Sequence, residues 1–171
     1  MTLRKITLLD APQLFALTHT GREYLRTWLP WVDRTTNVSH TEGFIESSLR
    51  AMNDKKGETY VILEKDQVVG VISFNIIDWQ NKTAYIGYWL GEVHQGKGLM
   101  TEAARTLVDR AFSTLAMHKV DIRAAEGNDK SQAIPKRLGF TAEGTLREVE
   151  NVNGTYHNHV VYGMLRHEWQ T

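Results

Sequence analysis

The chain has 171 residues, with 20 Lys plus Arg balanced by 20 Asp plus Glu, 42% hydrophobic residues and 23% charged ones. These proportions exclude a disordered chain, and the missing basic excess argues against a protein that grips a nucleic-acid backbone along its length. With no cysteine, there is no disulfide framework, thiolate metal site or cysteine nucleophile, so any thiol chemistry must come from a cofactor.

Residues 3–8 (LRKITL) can form a first strand, and Asp10 is a candidate N-cap for a helix carrying Leu14, Phe15 and Leu17. A second helical stretch, Arg22 to Leu29, stops at Pro30. Thr41, with Glu42 in the first turn, opens a third helix in which Phe44, Ile45, Leu49 and Met52 recur at helical spacing. From Gly57 the period changes. TYVILE, QVVGVISFNII and TAYIGYWL are rich in β-branched and aromatic residues and separated by polar turns, which predicts a three-stranded antiparallel meander. After the loop Gly91 to Gly98, apolar residues from Leu99 to Leu115 follow a strict i, i+3/i+4 stripe, the strongest helix signal in the chain. A strand over 119–126 follows, then a short helix from Asn128 to Gly139 and a final strand pair joined by Asn153-Gly154, a favoured hairpin turn.

This order is mixed α+β. No linker, repeat or low-complexity run interrupts it, and at about 100 to 200 residues per domain a single domain over 1–171 is expected. No apolar run approaches the roughly 18 residues of a membrane span, and Thr7, Asp10 and Gln13 break up the N-terminal stretch, so neither a membrane partner nor a signal peptide is expected. Cytoplasm is the simplest expected location.

The segment Trp89-Leu90-Gly91-Glu92-Val93-His94-Gln95-Gly96-Lys97-Gly98-Leu99-Met100 sets two close glycines between a strand and a helix. Glycines there allow a tight turn whose N–H groups converge on an anion at the helix N-terminus. A phosphate-binding loop is one reading, and a tight connector is the other. No Gly-Lys-[Ser/Thr] closes it as a Walker A loop, and Thr101 stands where the dinucleotide fingerprint needs a third glycine.

The loop resembles the Gln/Arg-x-x-Gly-x-Gly/Ala motif of the GNAT N-acetyltransferases, with Gln95 and Gly98 matching and Met100 departing at the last place. Downstream, Asn128-Asp129-Lys130-Ser131, continuing to Leu138-Gly139-Phe140, is similar to that family's Asn-x-x-Ser segment ending in Leu-Gly-Phe. The stretch from Glu143-Gly144 through Glu150 to His157 is similar to the C-terminal hairpin of the RimJ/RimL branch, which acetylates ribosomal-protein N-termini. The resemblance covers essentially the whole chain. It implies the GNAT fold, a single mixed, mostly antiparallel twisted sheet of about six to seven strands flanked by about four helices, and an acetyl-CoA-dependent transferase without a metal.

Within that resemblance, the backbone amides of Gln95, Gly96, Lys97, Gly98, Leu99 and Met100 cradle the pyrophosphate, with Lys97 adding positive charge and Met100 able to alter the loop's width. Tyr88, Trp89 and Leu90 offer exposed backbone to the pantetheine arm, the Leu90 amide being the candidate oxyanion donor. Asn128 bonds the same arm or simply caps its helix. Where many members carry an acidic tyrosine this chain has Pro135, which cannot donate a proton. Ser131 is the suggested replacement, either protonating the thiolate or bonding the sulfur, against a plain role in the helix's first turn. Glu150 is the candidate base, with Glu143 and Glu148 as competitors. A free α-amine has a pKa of about 7.7 to 8.0, so a carboxylate acting through water suffices where a lysine side chain near 10.4 would ask for more. The three glutamates make the segment locally acidic, as would suit a cationic acceptor.

His157 and His159 share a strand face, but no third metal ligand is evident. Trp28 and Trp31 are candidate walls of an acceptor pocket. The expected reaction is direct transfer of acetyl to a primary amine, in the first instance a protein N-terminus. A small amine (a polyamine, an aminoacyl-nucleotide or an antibiotic) and a non-catalytic acyl-CoA sensor are the alternatives. A homodimer, common in that branch, is one assembly open to it.

Overall fold

The structure is a computed structural model describing residues 1–170. Seven strands form one sheet: β1 (Thr2–Lys5), β2 (Glu58–Glu64), β3 (Gln67–Asp78), β4 (Thr83–Leu90), β5 (Lys119–Ala125), β6 (Thr141–Val152) and β7 (Thr155–Leu165), in the order β1-β2-β3-β4-β5-β7-β6. Five α-helices accompany it: α1 (Ala11–Thr20), α2 (Arg22–Leu25), α3 (Val38–Asn53), α4 (Leu99–Ser113) and α5 (Asp129–Arg137). This is the mixed, mostly antiparallel sheet expected, with five helices among the described residues where the resemblance implied about four. Among the described residues no helix is long and apolar enough to cross a membrane.

Alternation along the strands sends side chains to two cores. Tyr60, Ile62, Ile72 and Phe74 face one side with Ala103, Leu107 and Val108 of α4 and Ile134 of α5. Val61, Val68 and Val71 face the other, against Ala11 and Leu14 of α1 and Ile45 of α3. The sheet is thus sandwiched between α4/α5 and α1/α3, the layering that buries both faces of a sheet. Arg110 of α4 clamps Glu58 of β2 through paired bonds of 2.6 and 2.7 Å, and Tyr60 adds a third at 2.7 Å. Burial would raise the Glu58 carboxyl, but the Arg110 and Tyr60 bonds hold it below its ordinary value.

One feature of the sheet prepares the site. β4 and β5 are its sole parallel neighbours, bridged by α4, and their pairing runs only from Thr83↔Lys119 to Ile86↔Ile122. Gly87 to Leu90 continue without a β5 partner, so the sheet splays there. Because Gly91 N–H donates to Val69 O on β3, alternation turns the Leu90 N–H the other way, into the gap.

Four expected boundaries differ. The strand expected over 3–8 is β1, Thr2–Lys5, because the chain leaves the sheet and turns after Thr7 into the 3₁₀ turn Leu8–Asp10. Asp10 does not cap α1 with its side chain. Its carboxylate instead accepts from the Thr7 N–H at 2.8 Å and from Arg4, closing the 3₁₀ turn Leu8–Asp10 ahead of the helix. The helix expected over Arg22 to Leu29 ends at Leu25 and continues as turns, because Arg22 reaches forward to the Val32 and Thr35 carbonyls and folds the segment back on itself. α3 begins at Val38 rather than Thr41, with extended Asn37 as the break.

Candidate active site

Two cavities meet at the splay. The first, about 900 Å³, lies along the start of α4 and is lined by Leu90, Gln95, Gly96, Gly98, Leu99, Met100, Thr101 and Arg105, with Lys130, Ile134 and Arg137 of α5 opposite. The second, about 850 Å³, lies on the α1/α3 side between the 28–44 segment, Tyr85 and Trp89 of β4, Arg123 of β5 and Glu150 and His159 of the hairpin. Trp28, Leu29, Tyr88, Trp89, Asn128 and Ser131 line both. Residue alternation on β4 explains the division, since Tyr85, Gly87 and Trp89 face the second cavity and Leu90 the first.

The first cavity has the makings of an anion site. Gly96 and Gly98 stand at φ +75° and +79°, a region L side chains rarely adopt, and a Cβ on either would meet nothing within 4 Å. Glycine is therefore required for the turn itself, and the space in front of the loop is free for a ligand. Gly98 caps α4, leaving the first-turn N–H groups from Leu99 onward without helical partners, where the helix dipole favours negative charge. Met100 is 7% exposed and packs into the main core, so most of its bulk turns away from the loop.

Lys97 does not supply the expected charge to the cleft. Its ammonium pairs with Glu64 at 3.1 Å, Glu64 also meets His94 at 3.0 Å, and Lys97 is absent from the cavity wall. The cations that do line the cleft are Arg105, Lys130 and Arg137. Lys130 bonds the Gln95 side chain at 3.2 Å, tying α5 to the loop, and lies 5.3 Å from the Tyr24 ring centre. Helical spacing alone did not single these out; it shows that 130 and 137 share a face without showing which cavity that face meets.

At the junction, Asn128 caps α5 by accepting from the Ser131 N–H at 3.0 Å, while remaining part of both cavity walls. Tyr88 donates its hydroxyl hydrogen to the Ser131 carbonyl at 2.9 Å, and the Ser131 hydroxyl faces the Tyr88 oxygen at 3.5 Å. Burial pushes the Tyr88 phenol well above its ordinary value, and its hydroxyl fixes the start of α5 through the Ser131 carbonyl. The Ser131 hydroxyl stands on the wall shared by the two cavities.

On the other side, the three glutamates separate. Glu143 pairs with Lys119 at 2.6 Å, and Glu148 sits exposed at φ +50° in a bulge of β6. Only Glu150 lines the cavity, its carboxylate accepting from His159 Nε2 at 3.0 Å. His159 thus engages Glu150 rather than joining His157 as a metal pair, and His157 lies edge-on to Trp28 with ring centres 5.9 Å apart. Trp31 meets Trp89 at 5.7 Å and, with Trp28, walls the cavity. Asn153 of the hairpin turn bonds the Arg26 carbonyl at 3.2 Å, closing the β6–β7 hairpin onto this segment.

Comparison with known proteins agrees with this geometry. Residues 1–141 match the family model described as Acetyltransferase (GNAT) domain. The chain is 35% identical over 171 residues to YdaF of Bacillus subtilis (strain 168), covering 99% of this chain and 93% of that one. It resembles the crystal structure of the microcin C7 self-immunity acetyltransferase MccE in complex with acetyl-CoA and AMP, with a TM-score of 0.92 and 35% identity over 96% of this chain and 91% of that one. It also resembles RimL, the ribosomal L7/L12 α-N-protein acetyltransferase, in complex with coenzyme A, with a TM-score of 0.91 and 29% identity over 95% and 92% of the two chains. A splayed β4/β5 edge, a two-glycine loop opening α4 and a match across most of the length together show that the chain belongs to the GNAT family of acetyl-CoA-dependent N-acetyltransferases.

Proposed function

We propose that the protein transfers acetyl from acetyl-CoA to a protein N-terminal α-amine, with Glu150 as base and Ser131 serving the departing sulfur. The observation that carries this reading is the meeting of the two cavities at Ser131, with Glu150 as the one carboxylate on the acceptor side of that junction. The first-turn amides of α4 and the loop from Gln95 to Gly98 would hold the pyrophosphate, with Arg105, Lys130 and Arg137 adding charge. Backbone from Tyr88 to Leu90, unpaired on the β5 side, would hold the pantetheine arm, and the Leu90 N–H would meet the thioester oxygen as charge develops on it.

Acetyl-CoA supplies an activated acyl group whose C–S bond breaks as the amine nitrogen forms its bond to the carbonyl carbon. Glu150 takes the proton that the amine loses, directly or through one water, and the sulfur receives one through Ser131. An α-amine suits a single half-buried carboxylate, because near neutral pH part of it is already unprotonated. The acceptor cavity opens past exposed Arg34, His40 and Asn75 and has room for the first residues of an extended peptide. The likeness to RimL supports this choice of acceptor.

The test is thiol release from acetyl-CoA with N-terminal peptides, polyamines and aminoacyl-nucleotide analogues. Peptides should turn over, and Glu150→Gln should lower kcat by about 10²- to 10³-fold while leaving acetyl-CoA affinity nearly unchanged. Turnover by Glu150→Gln equal to the parent across pH 6 to 9 would remove Glu150 as the base.

A further inference from the structure

The acceptor cavity is not acidic, although the hairpin sequence is. Its one carboxylate, Glu150, is already engaged by His159, whereas two exposed arginines line the same space from different elements: Arg34 from the turn Val32–Arg34 and Arg123 from β5. Neither is neutralised by a carboxylate among the described residues. Asp33, beside Arg34, is taken by Arg26 at 2.8 Å with Arg22 at 3.9 Å, and Arg123 has only the face of Tyr85, 5.1 Å from its ring centre. An arginine held over an aromatic ring keeps its planar N–H fork for a further partner.

Two neutral donors stand beside the arginines. The Thr36 N–H donates to His40 Nδ1 at 3.2 Å, which leaves the hydrogen of a neutral His40 ring on Nε2. Thr41, on the first turn of α3, is 7% exposed, lines the cavity and has no hydrogen-bond partner for its hydroxyl among the described residues. A hydroxyl with no protein partner, on the wall of a cavity lined by two guanidinium groups without carboxylate partners, can donate to an anionic group there.

We propose that this cavity selects acceptors carrying a carboxylate or phosphate a few bonds from the reacting amine, held between Arg34 and Arg123 with Thr41 and His40 as supporting donors. In a protein N-terminus, the reading on which this inference rests, the anion is an Asp or Glu side chain just after the first residue. The same field repels a polyamine, whose second and third charges would lie against the two arginines.

The experiment compares peptides that differ only at the second residue (Glu, Gln or Lys), a non-hydrolysable aminoacyl-adenylate analogue and spermidine, measured by thiol release with the parent, Arg34→Gln and Arg123→Gln. For the parent we expect kcat/KM in the order Glu, Gln, Lys, with about tenfold or more between Glu and Gln and spermidine at the bottom. In either arginine variant the Glu-over-Gln ratio should collapse toward one, mainly through KM for the peptide, while KM for acetyl-CoA holds. A parent without charge preference, or variants that slow the Glu and Gln peptides equally, would overturn the inference. If only the adenylate analogue turns over, the anion is a phosphate and the N-terminal reading falls while anion selection stands. If spermidine is the best acceptor, both fall.

Discussion

Glu150 and His159 form a pair whose separation along the chain hides it. In a regular β6–β7 ladder Glu150 faces His157, and that register is kept, yet its carboxylate lies 3.0 Å from His159. The hydrogen bond holds the carboxylate in place at the cavity wall, and in the proposed role as base this would spare it a rotamer search. His159→Ala should lower kcat by about 10- to 100-fold, the worth of a hydrogen bond to a charged group, with KM for acetyl-CoA unchanged. His159→Gln, which can place an N–H near the same point, should recover part of that loss. Equal kcat in the alanine variant and the parent would reduce His159 to packing. At this scale the sequence made residue types legible and pairings not: Glu150, Ser131 and Asn128 stood out by motif, while the Lys97–Glu64 tie and the Lys130–Gln95 contact join residues 33 and 35 positions apart.

Among the elements, the strand–loop–helix unit of β4 and α4 is the most nearly self-specified. Alternating apolar residues, two glycines and a 3.6-residue stripe are local signals, and the unit forms where they predict. Gly98 offers a clean test because its φ of +79° carries the whole requirement, with open space where a Cβ would go. Gly98→Ala should cost about 1–2 kcal/mol of stability through the left-handed backbone and raise KM for acetyl-CoA several-fold. A variant with unchanged melting and unchanged KM would show that the turn can be made otherwise. Elements whose ends depend on distant partners were misjudged. α2 stops early because Arg22 is drawn to the Val32 and Thr35 carbonyls, and the β6 bulge, which sets Arg147, Glu148 and Val149 against Asn158 alone, carries no glycine or proline to announce it.

For the whole molecule, the proposed assignment of the two cavities makes the transfer cross the sheet. The donor cleft lies toward α4 and α5, the acceptor cavity toward α1 and α3, and the passage between them is the unpaired end of β4. With no cysteine to carry an acyl group and both substrates able to occupy their cavities together, initial-rate plots should intersect rather than run parallel. Acetyl-CoA alone should release no burst of thiol. Parallel lines with a burst would require a covalent carrier and sink direct transfer.

The sequence by itself determined the mixed α+β class, the meander, the two-glycine turn and the helix behind it, because each is written in spacings within a dozen or so residues and enforced by burial of an apolar face or a glycine's backbone freedom. Only the tertiary structure decided which of the three glutamates lines the cavity on the α1/α3 side, which cations line the cleft at the start of α4 and what charges gather around each. The acidic run at 143–150 predicted a pocket for cations. In the fold Lys119 takes Glu143, the bulge turns Glu148 outward, and Arg34 and Arg123 arrive from remote segments. Electrostatic character at a site is a sum over everything packed around it, and no local stretch of chain contains that sum.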